Sequence, residues 1–205
     1  MERDPQAHWL ETETALHYAR AAVRVGIWAS ERVLIERHFS KSHRILELGC
    51  GGGRVALGLL QSGYPDVIAT DFSPIMVSIA RAVLSDHVES WEKIVEQQDA
   101  TALTYPDASF DGAIYAFNGL MCLPSQAHRI AALSSIHRVL KPGGILLFTA
   151  ADREKGAYAA YRAKDAESDD GIPGDRWHQS DTSPVFMHSS TEAETRGELS
   201  ETGFT

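Results

Sequence analysis

One stretch limits what this chain can fold into more than any other. Ile45–Leu46–Glu47–Leu48 is a short apolar run that breaks at Gly49–Cys50–Gly51–Gly52–Gly53 and resumes as Arg54–Val55–Ala56–Leu57–Gly58–Leu59–Leu60. The first run suits a buried parallel strand and the second an apolar helix. Glycines between them let the backbone bend sharply and leave a ligand room to press against the main chain. Strand, glycine loop and helix open a nucleotide-binding βα unit, because a helix N-terminus offers free N–H groups and partial positive charge to a carboxylate or phosphate.

As a G-x-G-x-x-G dinucleotide fingerprint the loop fails at Arg54, where close helix–strand packing needs a small residue. Glu47, two residues before Gly49, sharpens the pattern. The form E-x-G-x-G-x-G resembles motif I of the class I S-adenosylmethionine-dependent methyltransferases. Three further stretches resemble the same family, and the resemblance covers residues 40–150.

The first is Val67–Ile68–Ala69–Thr70–Asp71, a second apolar strand ending in an acid. Asp71 falls about 20 residues past the glycines, where a Rossmann-type fold places the carboxylate that accepts from ribose hydroxyls. Ser73 and Pro74 read as the N-cap and first residue of the next helix. The string Asp71–Phe72–Ser73–Pro74–Ile75–Met76 resembles the family's second motif. Ile94–Ala100 reads as the third strand; the resemblance implies that Asp99 accepts from the adenine amino group and that the Ala100 N–H binds a ring nitrogen. Tyr105–Asp111 resembles the family's approach to strand four, Gly112–Phe117. Asn118 then stands at a strand C-terminus, where ligands bind in open α/β sheets. Asn118–Gly119–Leu120–Met121 departs from the tetrapeptide of amino-methylating DNA enzymes, which argues against a flipped-base substrate. Residues 125–140 read as a helix stopped by Pro142–Gly143–Gly144, before strand five at Ile145–Ala150.

These readings imply an α/β fold: a Rossmann-like, doubly wound, mainly parallel sheet in the order 3-2-1-4-5, with helices on both faces. The resemblance implies that residues 1–205 form a single methyltransferase domain. Residues 1–40 are an N-terminal helical lid in which Tyr18 and Trp28 could face the cofactor, 41–150 the cofactor-binding core, and 151–205 a substrate-lid excursion and C-terminal helix. The excursion is acid-rich at 165–170 and carries turn chemistry at Gly171–Asp175. Thr191–Ser200 resembles the family's helix before strand six. The chain stops at Thr205, so the usual strands six and seven are missing and the chain reads as truncated. The free edge of strand five is then expected to pair with Val185–Met187 or with a second copy of the chain, making a homodimer a candidate assembly.

A chain of 205 residues suits one domain with a full core. The net charge of −9 argues against nucleic acid as the main partner. The N-terminus lacks the apolar core of a signal peptide and no run reaches transmembrane length, so no membrane partner is expected. Cys50 and Cys122 form neither a disulfide framework nor a metal spacing, which fits a reducing, cytoplasmic setting.

The family resemblance implies S-adenosylmethionine as cofactor, S-adenosylhomocysteine as product and a small-molecule methyl acceptor. The cofactor site is expected at Glu47, Gly49, Cys50, Gly51, Asp71, Phe72, Met76, Asp99, Ala100 and Asn118. No metal is expected and no catalytic base is dictated; His178 and His188, after strand five, are the histidines to inspect. Two alternatives stay open: a cofactor-binding protein without catalysis, and an NAD(P)-dependent oxidoreductase, against which Arg54 and the Asp99–Ala100 pattern count.

Overall fold

The structure is a computed structural model and describes residues 4–205 apart from 90, 156–171, 179, 181 and 182. Five parallel strands form the main sheet: β1 (Ile45–Leu48), β2 (Val67–Asp71), β3 (Val95–Gln97), β4 (Phe110–Tyr115) and β5 (Leu140–Phe148). Their spatial order is β3-β2-β1-β4-β5, the expected one. The helices before and between them are α1 (Thr12–Val25), α2 (Ala29–His38), α3 (Arg54–Gln61), α4 (Pro74–Ser85) and α5 (Gln126–Val139).

All four residues of β1 are buried, which is why this strand reads as an unbroken apolar run except at Glu47. Side chains on alternate sides of the strands serve two cores. Ile45, Val67, Ala69, Val95 and Ile114 pack against Val55 and Leu59 of α3, Val77 and Leu84 of α4, and Phe39. On the other face Leu46, Leu48, Ala113 and Tyr115 pack against Leu133, Ile136 and Val139 of α5. Each fully buried Leu or Ile contributes about 1.5–3 kcal/mol, so the central strands are the part of the molecule hardest to open.

The segment Leu140–Gly144 does more than turn the chain. The β4–β5 register jumps from Phe110↔Leu140 to Gly112↔Ile145, so residues 141–144 form a bulge. Lys141 Nζ donates to Asp111 Oδ1 at 2.7 Å, and Arg44 N donates to Asp111 Oδ2 at 2.9 Å, pinning the bulge to the start of β1.

Past β5 the structure corrects the sequence reading. Val185–His188 is a strand, β7, but it does not pair with β5. It pairs antiparallel with β6 (Asp175–His178) in a separate two-stranded sheet. The turn residues Ile172–Pro173–Gly174 thus lead into a strand that the sequence did not announce, and Gly171 lies outside the described residues. A partner only a few residues away costs less loop-closure entropy than one across the domain. The pairing also buries His188 Nδ1 against Asp175 Oδ1 at 2.5 Å. The final helix, α6 (Glu192–Glu201), begins with a capping box between Thr191 and Glu194. It docks on α5 through a buried Arg129–Glu198 ion pair. The acid-rich part of the excursion lies outside the described residues.

Candidate functional site

A cavity of about 440 Å³ opens at the C-terminal ends of β1, β2, β3 and β4, roofed by α1 and the start of α2. The loop after β1 forms its floor. Gly49, Gly51 and Gly53 hold φ of +59°, +53° and +84°, and α3 begins directly behind them at Arg54. Gly51 N donates to Asp71 Oδ2 and Ser73 N donates to Asp71 Oδ1, both at 2.9 Å. The β2 carboxylate therefore fixes both the glycine loop and the entry to α4. Gly52 instead makes room for a helix. A Cβ there would lie 2.5 Å from the backbone carbonyl of Tyr18, so α1 rests directly on this residue.

Two buried carboxylates set the electrostatics. Burial pushes Asp71 up to about 6, against the pull of its backbone hydrogen bonds from Ser73 and Gly51. Burial pushes Glu47 further, to about 8, with Arg54 only partly offsetting it. Glu47 Oε2 is buried and has no hydrogen-bond partner. Burial likewise pushes the Cys122 thiol and the Tyr18 hydroxyl up to about 12, so neither ionises near neutral pH.

Arg54, the residue that spoils the dinucleotide fingerprint, braces the roof. Its guanidinium donates to both carboxylate oxygens of Glu31 at 2.6 and 2.7 Å and to the Gly26 carbonyl at 2.9 Å. Glu31 also accepts from Trp28 N at 2.8 Å, closing the α1–α2 junction onto the first turn of α3. On the far side Ser73 Oγ donates to the Trp9 carbonyl at 2.7 Å, tying the N-terminal segment to α4.

Glu47, Gly49, Cys50, Gly51, Asp71, Phe72, Met76, Asp99 and Ala100 all line the cavity. Asn118 does not line it, although Phe117 and Gly119 on either side do. Tyr18 and Trp28 line it from the roof. His178 and His188 do not: His188 is held by Asp175, and His178 Nε2 accepts from Arg176 Nε at 2.6 Å. The histidines that reach the cavity are His17 on α1 and His128 in the first turn of α5. His128 Nδ1 lies 2.7 Å from Ser125 Oγ, the N-cap of α5. The spacing Ser125-x-x-His128 at a helix start after strand four was the available signal for it. Among the described residues no cluster of three or more His, Cys, Asp or Glu could hold a metal ion. No helix among them is long and apolar enough to cross a membrane.

Fold and site together define a Rossmann-like α/β protein with a ligand cavity at the C-terminal ends of its strands. Residues 45–144 match the family model described as a methyltransferase domain. That match covers just under half of this chain. A demethylmenaquinone methyltransferase of Leptospira interrogans is 34% identical over 124 residues, 59% of this chain and 48% of that protein. The EEF1A lysine methyltransferase 4 of Mus musculus is 32% identical over 132 residues, 58% of this chain and 50% of that protein. The chain thus spans about half the length of the curated relatives it matches. Among solved structures, the SAM-bound amino pentose methyltransferase CalS10 from Micromonospora echinaspora shares the fold. It superposes with a TM-score of 0.66 at 17% identity, covering 92% of this chain and 88% of that one.

Proposed function

We propose that this cavity binds S-adenosylmethionine and that the chain transfers its methyl group to a small-molecule acceptor. One observation carries the reading: the E-x-G-x-G-x-G loop, Asp71 and Asp99 meet in one cavity, where Glu47 Oε2 is buried without a partner. A buried carboxylate oxygen left unpaired is costly, and the cationic amino group of a methionine moiety removes that cost. Each Asp71 oxygen holds one backbone N–H, and a carboxylate offers about four acceptor sites, so two ribose hydroxyls can still be taken. Asp99 and the Ala100 N–H serve the adenine, with Phe72 and Met76 beside them. Gly49 and Gly51, on either side of Cys50, present bare backbone to the ligand.

When bound, the sulfonium supplies an electrophilic methyl group with a good leaving group. The chain's own contribution is then alignment and the exclusion of water by the α1–α2 roof. The match of residues 45–144 to a methyltransferase domain favours this reading over the oxidoreductase alternative. The relatives' names span a protein lysine, a quinone precursor and an amino sugar, so the acceptor is argued from this cavity alone: roofed and about 440 Å³, it suits a small molecule. A homodimer through the edge of β5 that pairs with no strand among the described residues is part of this proposal; sedimentation that stays monomeric at high concentration would remove it.

Thermal-shift titration tests the cofactor. S-adenosylhomocysteine at about 100 times its Kd should stabilise the fold by about 2.7 kcal/mol, a rise of roughly 5–10 °C for a domain this size. NAD(P) at the same concentration should give no rise. A folded protein that ignores S-adenosylhomocysteine at millimolar concentration overturns the proposal.

A further inference from the structure

The cavity has an aromatic lining besides the residues assigned above to the cofactor. Four aromatic rings follow one another along the roof and mouth. The Trp9 and Tyr18 centroids lie 5.8 Å apart, Tyr18 and Phe117 6.2 Å at 80°, and Phe117 and Trp28 5.3 Å at 77°. All four residues line the cavity. The last pair stands at the mouth, with Phe117 44% and Trp28 42% exposed.

Phe117 reaches that place against its backbone preference. Ala116–Phe117–Asn118–Gly119 is a tight turn closed by Gly119 N donating to the Ala116 carbonyl at 3.2 Å. Both central residues have positive φ, +52° at Phe117 and +60° at Asn118. Such turns favour Gly, Asn or Asp at both central positions, and a bulky side chain in the left-handed region is an outlier. Burial does not explain the choice, because the ring is nearly half exposed. The turn is held in place by Asn118 N donating to Thr149 Oγ1 at 2.7 Å. Strain kept at an exposed ring that faces a cavity marks a ligand-facing position.

Charge narrows the class of ligand. The Arg54 guanidinium carbon lies 5.3 Å from the Trp28 ring centroid and 5.9 Å from that of Phe117. Arg54, itself paired with Glu31, already occupies a face of each ring, which leaves less of the ring quadrupole for an ammonium ligand. A neutral ring continues the edge-to-face series, and a saturated ring of equal size lacks the quadrupole that favours this geometry. We propose that the methyl acceptor is a neutral, planar aromatic molecule held at the mouth of the cavity by Trp28 and Phe117. The inference rests on the cofactor reading above.

The test uses the full chain saturated with S-adenosylhomocysteine, whose binding is measured first by calorimetry. If S-adenosylhomocysteine does not bind, the cofactor reading fails; if it binds, the outcomes below concern the acceptor alone. Three probes are compared by ligand-observed NMR titration: 2-naphthol, its saturated counterpart decahydro-2-naphthol, and tetramethylammonium. Saturable 2-naphthol binding is expected, at least about fivefold tighter than the saturated probe, the scale of one ring contact, with tetramethylammonium unable to compete. Phe117→Gly separates recognition from folding, because glycine accepts positive φ freely. This variant should melt within about 3 °C of the parent or above it, yet bind 2-naphthol at least about fivefold more weakly; Trp28→Ala should lose binding by a similar factor. Equal binding of the saturated probe, displacement by tetramethylammonium, no saturable 2-naphthol binding, or full 2-naphthol binding by Phe117→Gly would each overturn the inference.

Discussion

The loop after β1 and the turn after β4 lie next to each other at the C-terminal end of the sheet, since these two strands pair. Both need left-handed backbone. The first obtains it from Gly49, Gly51 and Gly53; the second imposes it on Phe117 and Asn118. Glycine reaches positive φ without steric conflict and leaves nothing in the way of a ligand or a neighbouring helix. Phenylalanine bears the conflict and gains a ring at the cavity mouth. On the proposed reading, a ligand touches main chain where the side chain is absent, and touches a side chain where the backbone carries the strain.

The glycine loop is most vulnerable at Gly52. A side chain there meets the Tyr18 carbonyl at 2.5 Å, a backbone obstacle that no rotamer change relieves. Gly52→Val should cost about 3 kcal/mol, a fall in Tm of roughly 6–12 °C, and detach α1 from the loop. Thermal melting with proteolysis of the N-terminal helices checks it; a variant as stable as the parent would show that α1 can sit elsewhere.

On the proposed cofactor reading, Asp71 is the residue of the first region that takes the ribose. Asp71→Ala removes the acceptor for two ribose hydroxyls and should weaken S-adenosylhomocysteine by about 1.5–3 kcal/mol, roughly 10- to 100-fold, in a protein that remains folded. Calorimetry giving unchanged affinity would take Asp71 out of the site.

Glu47, on the strand that leads into the glycine loop, makes that region sensitive to pH. Its carboxyl is raised to about 8 in the fold from an ordinary value of 4.5. Over that interval the folded chain keeps a proton that the unfolded chain has released, so stability falls as pH rises and levels off above about 8. Asp71 contributes with the same sign only between 3.8 and about 6. His8, whose ring pKa burial lowers from 6.5, acts with the opposite sign below about that pH, so the slope belongs to Glu47 from about pH 7 to 8, on the order of 1 kcal/mol over that window. Denaturant unfolding of Glu47→Gln should be flat there. S-adenosylhomocysteine, whose ammonium favours the ionised carboxylate, should release a proton on binding, which calorimetry in buffers of different ionisation enthalpy would read.

What the sequence could announce follows from how each feature is encoded. Val67–Asp71 is a strand to the residue because a strand buried on both faces must be a continuous apolar run, and its end is marked by the change to Asp71. The strand order came from family resemblance together with the helices and turns between such runs. Asp175–Arg176–Trp177–His178 carries no such run and no clean alternation, so β6 was hidden. Arg54 showed only as a violation, because its partner Glu31 belongs to a different helix. His17 reaches the cavity through helix packing with no local mark in the sequence, and the Ser125-x-x-His128 spacing marks a helix start rather than a cavity wall. The sign of φ at Phe117 is equally silent: Asn118–Gly119 suggests a turn, but nothing says that the residue before it is left-handed too.

Asn118 gives the smallest expected effect. The sequence offered it as a cofactor contact because it follows a strand C-terminus. The structure keeps it off the cavity wall and uses its backbone: φ is +60°, and its N–H donates to Thr149 Oγ1. Both features survive replacement by glycine, which reaches the left-handed region even more readily than asparagine. Asn118→Gly should therefore change stability by less than about 0.5 kcal/mol and leave S-adenosylhomocysteine affinity within about twofold. Asn118→Val keeps the N–H but places a β-branched residue at positive φ, and should cost about 1–2 kcal/mol. That pair of variants sets the backbone role against the side-chain role at one position. Should the glycine variant lose affinity tenfold while melting normally, the amide side chain reaches the ligand after all, and the turn after β4 serves the cofactor as well as the acceptor.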